Sequence, residues 1–415
     1  MTSEGLASEL PVLWVVTDQL PFPPRNGITL PLFNYLAGLK SSYSIRLIVL
    51  NDIQCNFPPA SIEANEELYG PICFLPLTRK SKLTRIISEL LSKEMYQHGW
   101  KYLPGAAQLP TTPNSILVSP MSAVAKWGSV TNGVFRKSAV HVAAVNDCTA
   151  AEYHYRYQSH FGSLKTLFKA VIDYLRSRWI GVIEAKMLQS YDAILLQTAR
   201  DKELMKELVH PTIAAKVVLA PNGVNHRFRS VSNENGRNIV FVGELSGEYG
   251  EIISWLVSEV WPGVVDRCPN SNLRIVGKGA SSTLAANIRS TQGVENIEYV
   301  EDLSDVYKDA IIAISPVFKG FGLINKTVEA MACGVAVVGG AAAFNGIPGF
   351  ESNVHGAVCL KKSKDEFVNM ITYLIENEDK RKDIGRAGKK LIAGGFNWDT
   401  TNKIIQGVLS AGSPA

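Results

Sequence analysis

The stretch KGFGLINKTVEAMACGVAVVGG (319–340) sets Gly320 and Gly322 just ahead of Asn325, Lys326 and Glu329, and follows them with small and β-branched residues. The apolar run IIAISPV (311–317) before it reads as a buried strand and NKTVEAMA as the start of a helix, which places the glycines in the loop between them. Such a loop offers unpaired N–H groups and the positive end of a helix dipole, and glycine lets an anion approach the backbone closely. Asn325 is expected as the N-cap, Lys326 adds a point charge, and Glu329, three residues on, shares its helix face. A carboxylate one turn into a helix can accept two hydrogen bonds from the hydroxyls of a ribose. Phosphate and ribose together make a nucleotide. The plainer readings stay open: a tight turn for the glycines, and a dipole partner for Glu329.

The elements that must position these residues are legible as alternating strands and helices along the whole chain. VLWVVTD (12–18) opens the series and a proline-stiffened loop ending at Gly27 leaves it; SIRLIVLND, ICFLPL, SILVSP, HVAAVND, DAILLQTA and KVVLAPNGV follow as strands. The polar stretch NHRFRSVSNENGRN has no periodicity and suits a linker. A second alternation then runs through NIVFVGEL, NLRIVGK, IEYV (297–300), IIAISPV, VAVVGG and HGAVCL. The expected organisation is a domain over 1–224, a linker over 225–237 and a domain over 238–395. A segment over 396–415 follows, whose helix begins near Asn397 and can cross back to the first domain. Two doubly wound α/β domains facing each other would bring the carboxyl ends of both sheets to an interdomain cleft, where such sheets bind ligands.

Composition bounds the function. The chain has 415 residues, 46% hydrophobic and 19% charged, enough for two such domains. Its net charge of +4 is too small and dispersed to argue for a nucleic-acid partner. The six cysteines lie far apart with no metal-ligand spacing, the first ten residues have no secretory pattern, and no apolar run approaches the ~20 residues of a spanning helix. A reduced, cytoplasmic setting is the expectation. The glycines of GKG (277–279) lack the spacing of a dinucleotide fingerprint, and no metal or cofactor is called for.

In order, PNGV, FVGEL, IVGKG, YVEDLSDVYKDA, ISPVFKGFG and KTVEAMACGVAVVGG resemble the nucleotide-sugar half of family 4 glycosyltransferases, and TDQLPFPPRNGITLPLFNYL resembles the opening of their first half. Asn325, Lys326 and Glu329 at the helix start, with GGAAAFNGI after the next strand, look most like sugar transferases of bacterial exopolysaccharide loci. The resemblance implies the GT-B fold, with two facing Rossmann-like domains. It also implies retaining, metal-independent transfer from a nucleotide-diphosphate sugar to a hydroxyl of a glycan or lipid-linked acceptor. The resemblance and the residues read together put donor binding at Gly27, whose loop leaves the first strand, and at Gly243, Lys278, Gly320, Phe321, Gly322, Leu323, Asn325 and Glu329, with catalytic roles at Asp147 and Lys326, the latter and Lys278 as replacements for absent cations; for Asp147 an N-cap role is the alternative. The chain departs from the family pattern in two places. Phe321 stands where a first glutamate is usual, and Glu244 where an arginine is usual, with no lysine following in ELSGEYGEI. These departures keep a second reading open, a GT-B partner subunit that binds nucleotide sugar without turnover; nothing resembles the acid/base set of a GT-B epimerase.

Two segments, KSKLTRIISELLSKE (80–94) and SLKTLFKAVIDYLRSRWIGVIEAK (163–186), are basic and amphipathic. Each reads either as a cover helix with a solvated face or as a helix lying in an anionic lipid interface, which would put the chain on the inner face of a membrane.

Overall fold

The computed structural model describes residues 10–24, 26–52, 57–79, 81, 100–102, 113–131, 139–146, 148–159, 167–231, 233, 236–320 and 322–411. The chain divides into two compact units, one of Met1–Pro221 with Trp398–Ala415, the other of Asn222–Asn397.

In the first unit, strands β1 (Val12–Thr17), β2 (Ser44–Asp52), β3 (Cys73–Arg79), β4 (Trp100–Tyr102), β5 (Ser115–Val118), β6 (Val140–Ala144), β7 (Ala193–Leu196) and β8 (Val217–Leu219) form one sheet in the order β4-β3-β2-β1-β5-β6-β7-β8. All pairs are parallel except β3 with β4, an antiparallel edge pair with Leu77 opposite Tyr102. Strands β5 and β6 are buried along their whole length, as parallel strands covered on both faces must be. The Trp398–Ser410 helix completes this unit: Ile405 and Leu409 join Leu13, Val15, Leu32 and Leu36 in one core. Its hydrogen bonds run the same way, Asn402 Nδ2 donating to the Asn34 carbonyl (3.2 Å) and Thr401 Oγ1 to that of Pro221 (2.6 Å).

The second unit holds β9 (Asn238–Val242), β10 (Leu273–Val276), β11 (Val294–Ile297), β12 (Ala310–Ser315), β13 (Ala336–Gly340) and β14 (Ala357–Cys359), all parallel, in the order β11-β10-β9-β12-β13-β14. Alternate residues feed two cores. Ile239, Phe241, Ile275, Ile312 and Val338 enter one, and Val240, Val276, Ala313 and Val337 the other. Two details differ from the sequence reading. Strand β11 lies at Val294–Ile297 instead of 297–300, because pairing of Leu273 with Val294 sets its register and Tyr299 is turned out to solvent, 79% exposed. Residues 225–237, read as a linker, include the one-turn helix His226–Arg229, which drives Phe228 into the core of the second unit beside Tyr307.

Candidate functional site

Strand order reverses between β9 and β12, so the crevice past their carboxyl ends is where an open parallel sheet receives a ligand. Gly243 follows β9, Lys278 follows β10, and the segment Gly320–Asn325 leaves β12. These sequence-predicted residues therefore share the carboxyl edge of one sheet. The first two loops are pressed together: Gly243 N–H donates to Val276 O (3.0 Å), Leu245 N–H to Lys278 O (2.9 Å), and a Cβ on Gly277 would sit 1.8 Å from the Gly243 carbonyl. Past β12 the chain turns through Gly320 (φ 139°) and Gly322 (φ 78°), a left-handed path that side chains resist.

The helix that follows, Asn325–Ala332, begins with Ile324 in the cap position and no side-chain cap. Asn325 is thus its first residue, not its N-cap, because its side chain is drawn elsewhere: Asn325 Oδ1 accepts from Asn222 Nδ2 at 3.0 Å. Thr327 and Val328 donate to the Ile324 carbonyl, whereas the N–H groups of Asn325 and Lys326 have no partner among the described residues. Behind this turn, Tyr307 Oη donates to the Lys326 carbonyl (3.2 Å) and Ser315 Oγ shares a hydrogen bond with Thr327 Oγ1 (2.8 Å). Lys326 Nζ lies 2.8 Å from Glu329 Oε2, with the Glu329 side chain 9% exposed and that of Lys326 39%. The i,i+3 spacing thus yields an ion pair that aims both groups together and leaves the second Glu329 oxygen without a partner among the described residues. Glu244 is exposed and bonded by Ser246 Oγ at 2.7 Å.

In the first unit the exposed Gly27 follows β1, and its carbonyl accepts from Asn146 Nδ2, past β6, at 3.4 Å. Asn26 occupies the helix start beside it, its Oδ1 accepting from the N–H groups of Ile28 (2.9 Å) and Thr29 (2.8 Å), so those donors are engaged within the chain. Asp147 and Phe321 lie outside the described residues. Immediately after Asp147, the start of the Thr149–Ser159 helix is held by a buried carboxylate: Glu184 accepts from Thr149 N–H (2.8 Å) and Ala150 N–H (3.0 Å). Burial pushes this carboxyl up to about 7, although the two hydrogen bonds act in the opposite sense. His141 is a core residue of β6; its N–H donates to Asp192 Oδ2, and burial lowers its ring pKa.

Sequence reasoning missed Asn222, Asn26, Tyr307 and Glu184 as parts of these loops. A polar residue in PNGV was visible, but its partner lies 103 positions away; Asn26, directly before the glycine, carried the one local signal, that of an Asx turn.

Residues 236–377 match the family described as Glycosyl transferases group 1. An uncharacterized glycosyltransferase of Haemophilus influenzae is 28% identical over 196 residues, 45% of this chain and 53% of that protein. Another, from Methanocaldococcus jannaschii, is 33% identical over 99 residues, 24% of this chain and 25% of its own length. The chain thus spans about half, and about a quarter, of these relatives. Among solved structures, Anabaena Alr3699/HepE in complex with UDP and glucose superposes with a TM-score of 0.64 at 13% identity, over 96% of this chain and 100% of that one. Sucrose-phosphate synthase from Thermosynechococcus elongatus does so with 0.65 at 14%, over 96% and 98%. These likenesses establish the GT-B fold, with its two Rossmann-like parallel-sheet domains.

Proposed function

We propose that the chain, matched over 236–377 by group 1 glycosyl transferases, is a retaining glycosyltransferase of the family 4, exopolysaccharide type that moves a sugar from a nucleotide-diphosphate sugar to a hydroxyl acceptor. The observation that carries this reading is the turn at the sheet's switch point. Two left-handed glycines, two helix N–H groups without a partner among the described residues and the Lys326–Glu329 pair stand together, which suits a diphosphate and a ribose. In this reading Glu329 takes the ribose hydroxyls with its second oxygen. Gly243, Lys278, Gly320, Phe321, Gly322, Leu323 and Asn325 frame the donor. Lys326 and the helix N–H groups hold the diphosphate as its negative charge grows during departure. Stabilising that leaving group is the main task of the transfer, and no metal is assigned to it. Gly27 serves the donor phosphates, Asp147 orients the sugar or the acceptor, a glycan or lipid-linked hydroxyl, and the chain works in the cytoplasm, against the inner face of a membrane.

UDP-glucose, bound by one of the solved neighbours, is the first probe. Calorimetric titration should give saturable binding, and Glu329→Gln, which keeps the shape but weakens two charge-assisted hydrogen bonds, should reduce UDP affinity at least tenfold. An unchanged dissociation constant in folded Glu329→Gln protein removes the ribose assignment. Tight binding with neither hydrolysis nor transfer would favour the partner-subunit reading, which the presence of Glu244 at the usual arginine position supports.

A further inference from the structure

The helix Leu167–Leu188 packs through an unusual choice of side chains. Its inward face mixes small and polar residues, Ala170, Asp173, Ser177, Gly181 and Glu184, with the apolar Ile180, Ile183 and Leu188; Ser177 Oγ donates to the Ala150 carbonyl (2.9 Å) and Gly181 is set against the Leu208 carbonyl. Other large apolar residues of the helix point the other way. Phe168 is 76% exposed, Leu175 60%, and Val171 and Val182 both 49%. With Arg178 they fall at 168, 171, 175, 178 and 182, an alternating spacing of three and four that draws one stripe about 21 Å long on the helix surface. The helix therefore covers its unit through one face and leaves a stripe of large apolar groups in solvent. The companion segment 80–94 lies outside the described residues, apart from Ser81.

The charges on the helix are sorted as sharply as the apolar groups. Both of its carboxylates, Asp173 and Glu184, are buried, whereas Lys169, Arg176, Arg178 and Lys186 are exposed. Arg176 stands 4.0 Å from Asp173; Lys169 and Arg178 have no carboxylate within ion-pair distance among the described residues. An outward face of large apolar groups, interrupted and flanked only by cations, complements a surface that is apolar within and anionic at its rim. Arg178, inside the stripe, can bury its stem while its guanidinium reaches outward. A second copy of the same face would set like charges against each other, which disfavours self-association. Among the described residues no helix is long and apolar enough to cross a membrane, so the contact is peripheral.

We infer that the outer face of the Leu167–Leu188 helix is a docking surface for an anionic lipid bilayer, entered by Phe168, Val171, Leu175 and Val182 and anchored by Lys169, Arg176 and Arg178. This deepens the membrane contact proposed above by naming its surface; no nucleotide sugar takes part, so the test is separate from that of sugar transfer. The full chain is sedimented with vesicles of phosphatidylcholine containing roughly one third phosphatidylglycerol. Binding should be strong at low salt, weaken as salt rises and be weak on pure phosphatidylcholine. The triple variant Lys169→Gln, Arg176→Gln, Arg178→Gln should lower partitioning about a hundredfold, at roughly fivefold per cation. Phe168→Ser with Leu175→Ser, two exposed sites whose change leaves the core intact, should lower it at least tenfold with an unchanged circular dichroism spectrum. Absent binding at low salt, binding equal on neutral vesicles, or binding untouched by both variants overturns the inference. So does concentration-dependent dimerisation without vesicles that the Phe168→Ser, Leu175→Ser protein loses, which would make a second copy the occupant.

Discussion

Lys326→Ala is expected to slow sugar transfer at least a hundredfold while weakening affinity for the intact donor only severalfold. The usual arginine and lysine for the diphosphate are absent, with Glu244 in the first of their places, and a helix end supplies only about half an elementary charge. Lys326 is the cation in the first turn of the helix, and its ammonium has donors left after its 2.8 Å contact with Glu329. A cation that tightens on a leaving group as charge develops contributes more to the transition state than to the bound donor, so turnover falls further than affinity. Removing one such preorganised donor typically costs about 10²–10³ in rate. Lys326→Arg should restore part of the loss, because the fork geometry differs from that of a point charge. Transfer assays with a donor that the unaltered chain uses, paired with calorimetry on the same proteins, separate the two effects. A full transfer rate in Lys326→Ala would move the role to another cation, with Lys278 past β10 the next to replace.

A comparably large effect is expected at Glu184, on stability. Its side chain is fully buried and takes the N–H groups of Thr149 and Ala150, with Cys148 Sγ 3.8 Å away. Glu184→Ala leaves one buried and one part-buried donor without acceptors and a cavity, and should cost about 3–5 kcal/mol in chemical denaturation. The carboxyl also makes stability depend on pH. Because its pKa is raised to about 7 from the ordinary 4.5, the folded chain holds this proton more tightly than the unfolded chain does. The resulting stability is fully present below about 4.5 and is lost as pH rises through about 7, a fall on the order of 3 kcal/mol across pH 5 to 8. Glu184→Gln mimics the protonated group and cannot ionise, so its denaturation midpoint should stay flatter over that range. Equal slopes in the two proteins would mean that Glu184 does not carry this proton.

Periodicity made most of the architecture readable, since parallel strands buried on both faces leave continuous apolar runs such as VLWVVT and AIIAIS. It did not reveal β4, a three-residue strand whose only partner is β3 across an edge, nor the displacement of β11, since the run IEYV carries no record of which residue faces Leu273. At the site, the spacing of Lys326 and Glu329 foretold their contact because both lie on one helical turn. The cap role of Asn325 failed because a partner distant in sequence, Asn222, competes for its side chain. The Leu167–Leu188 helix buries Ile180, Ile183 and Leu188 yet leaves Phe168 and Leu175 exposed, a division that its pattern alone does not give. Amphipathic patterning says that two faces differ, and only the structure tells which one the fold keeps.

The way the chain passes between its units has a consequence for biosynthesis. The second unit is an insertion whose two ends meet, Val224 N–H donating to the Phe396 carbonyl at 3.0 Å, while the last helix returns to seat Ile405 and Leu409 in the first. On a ribosome, the unit whose synthesis starts first must wait for the Trp398–Ser410 helix before its core can close. The later-made unit has every one of its own residues in hand before that moment.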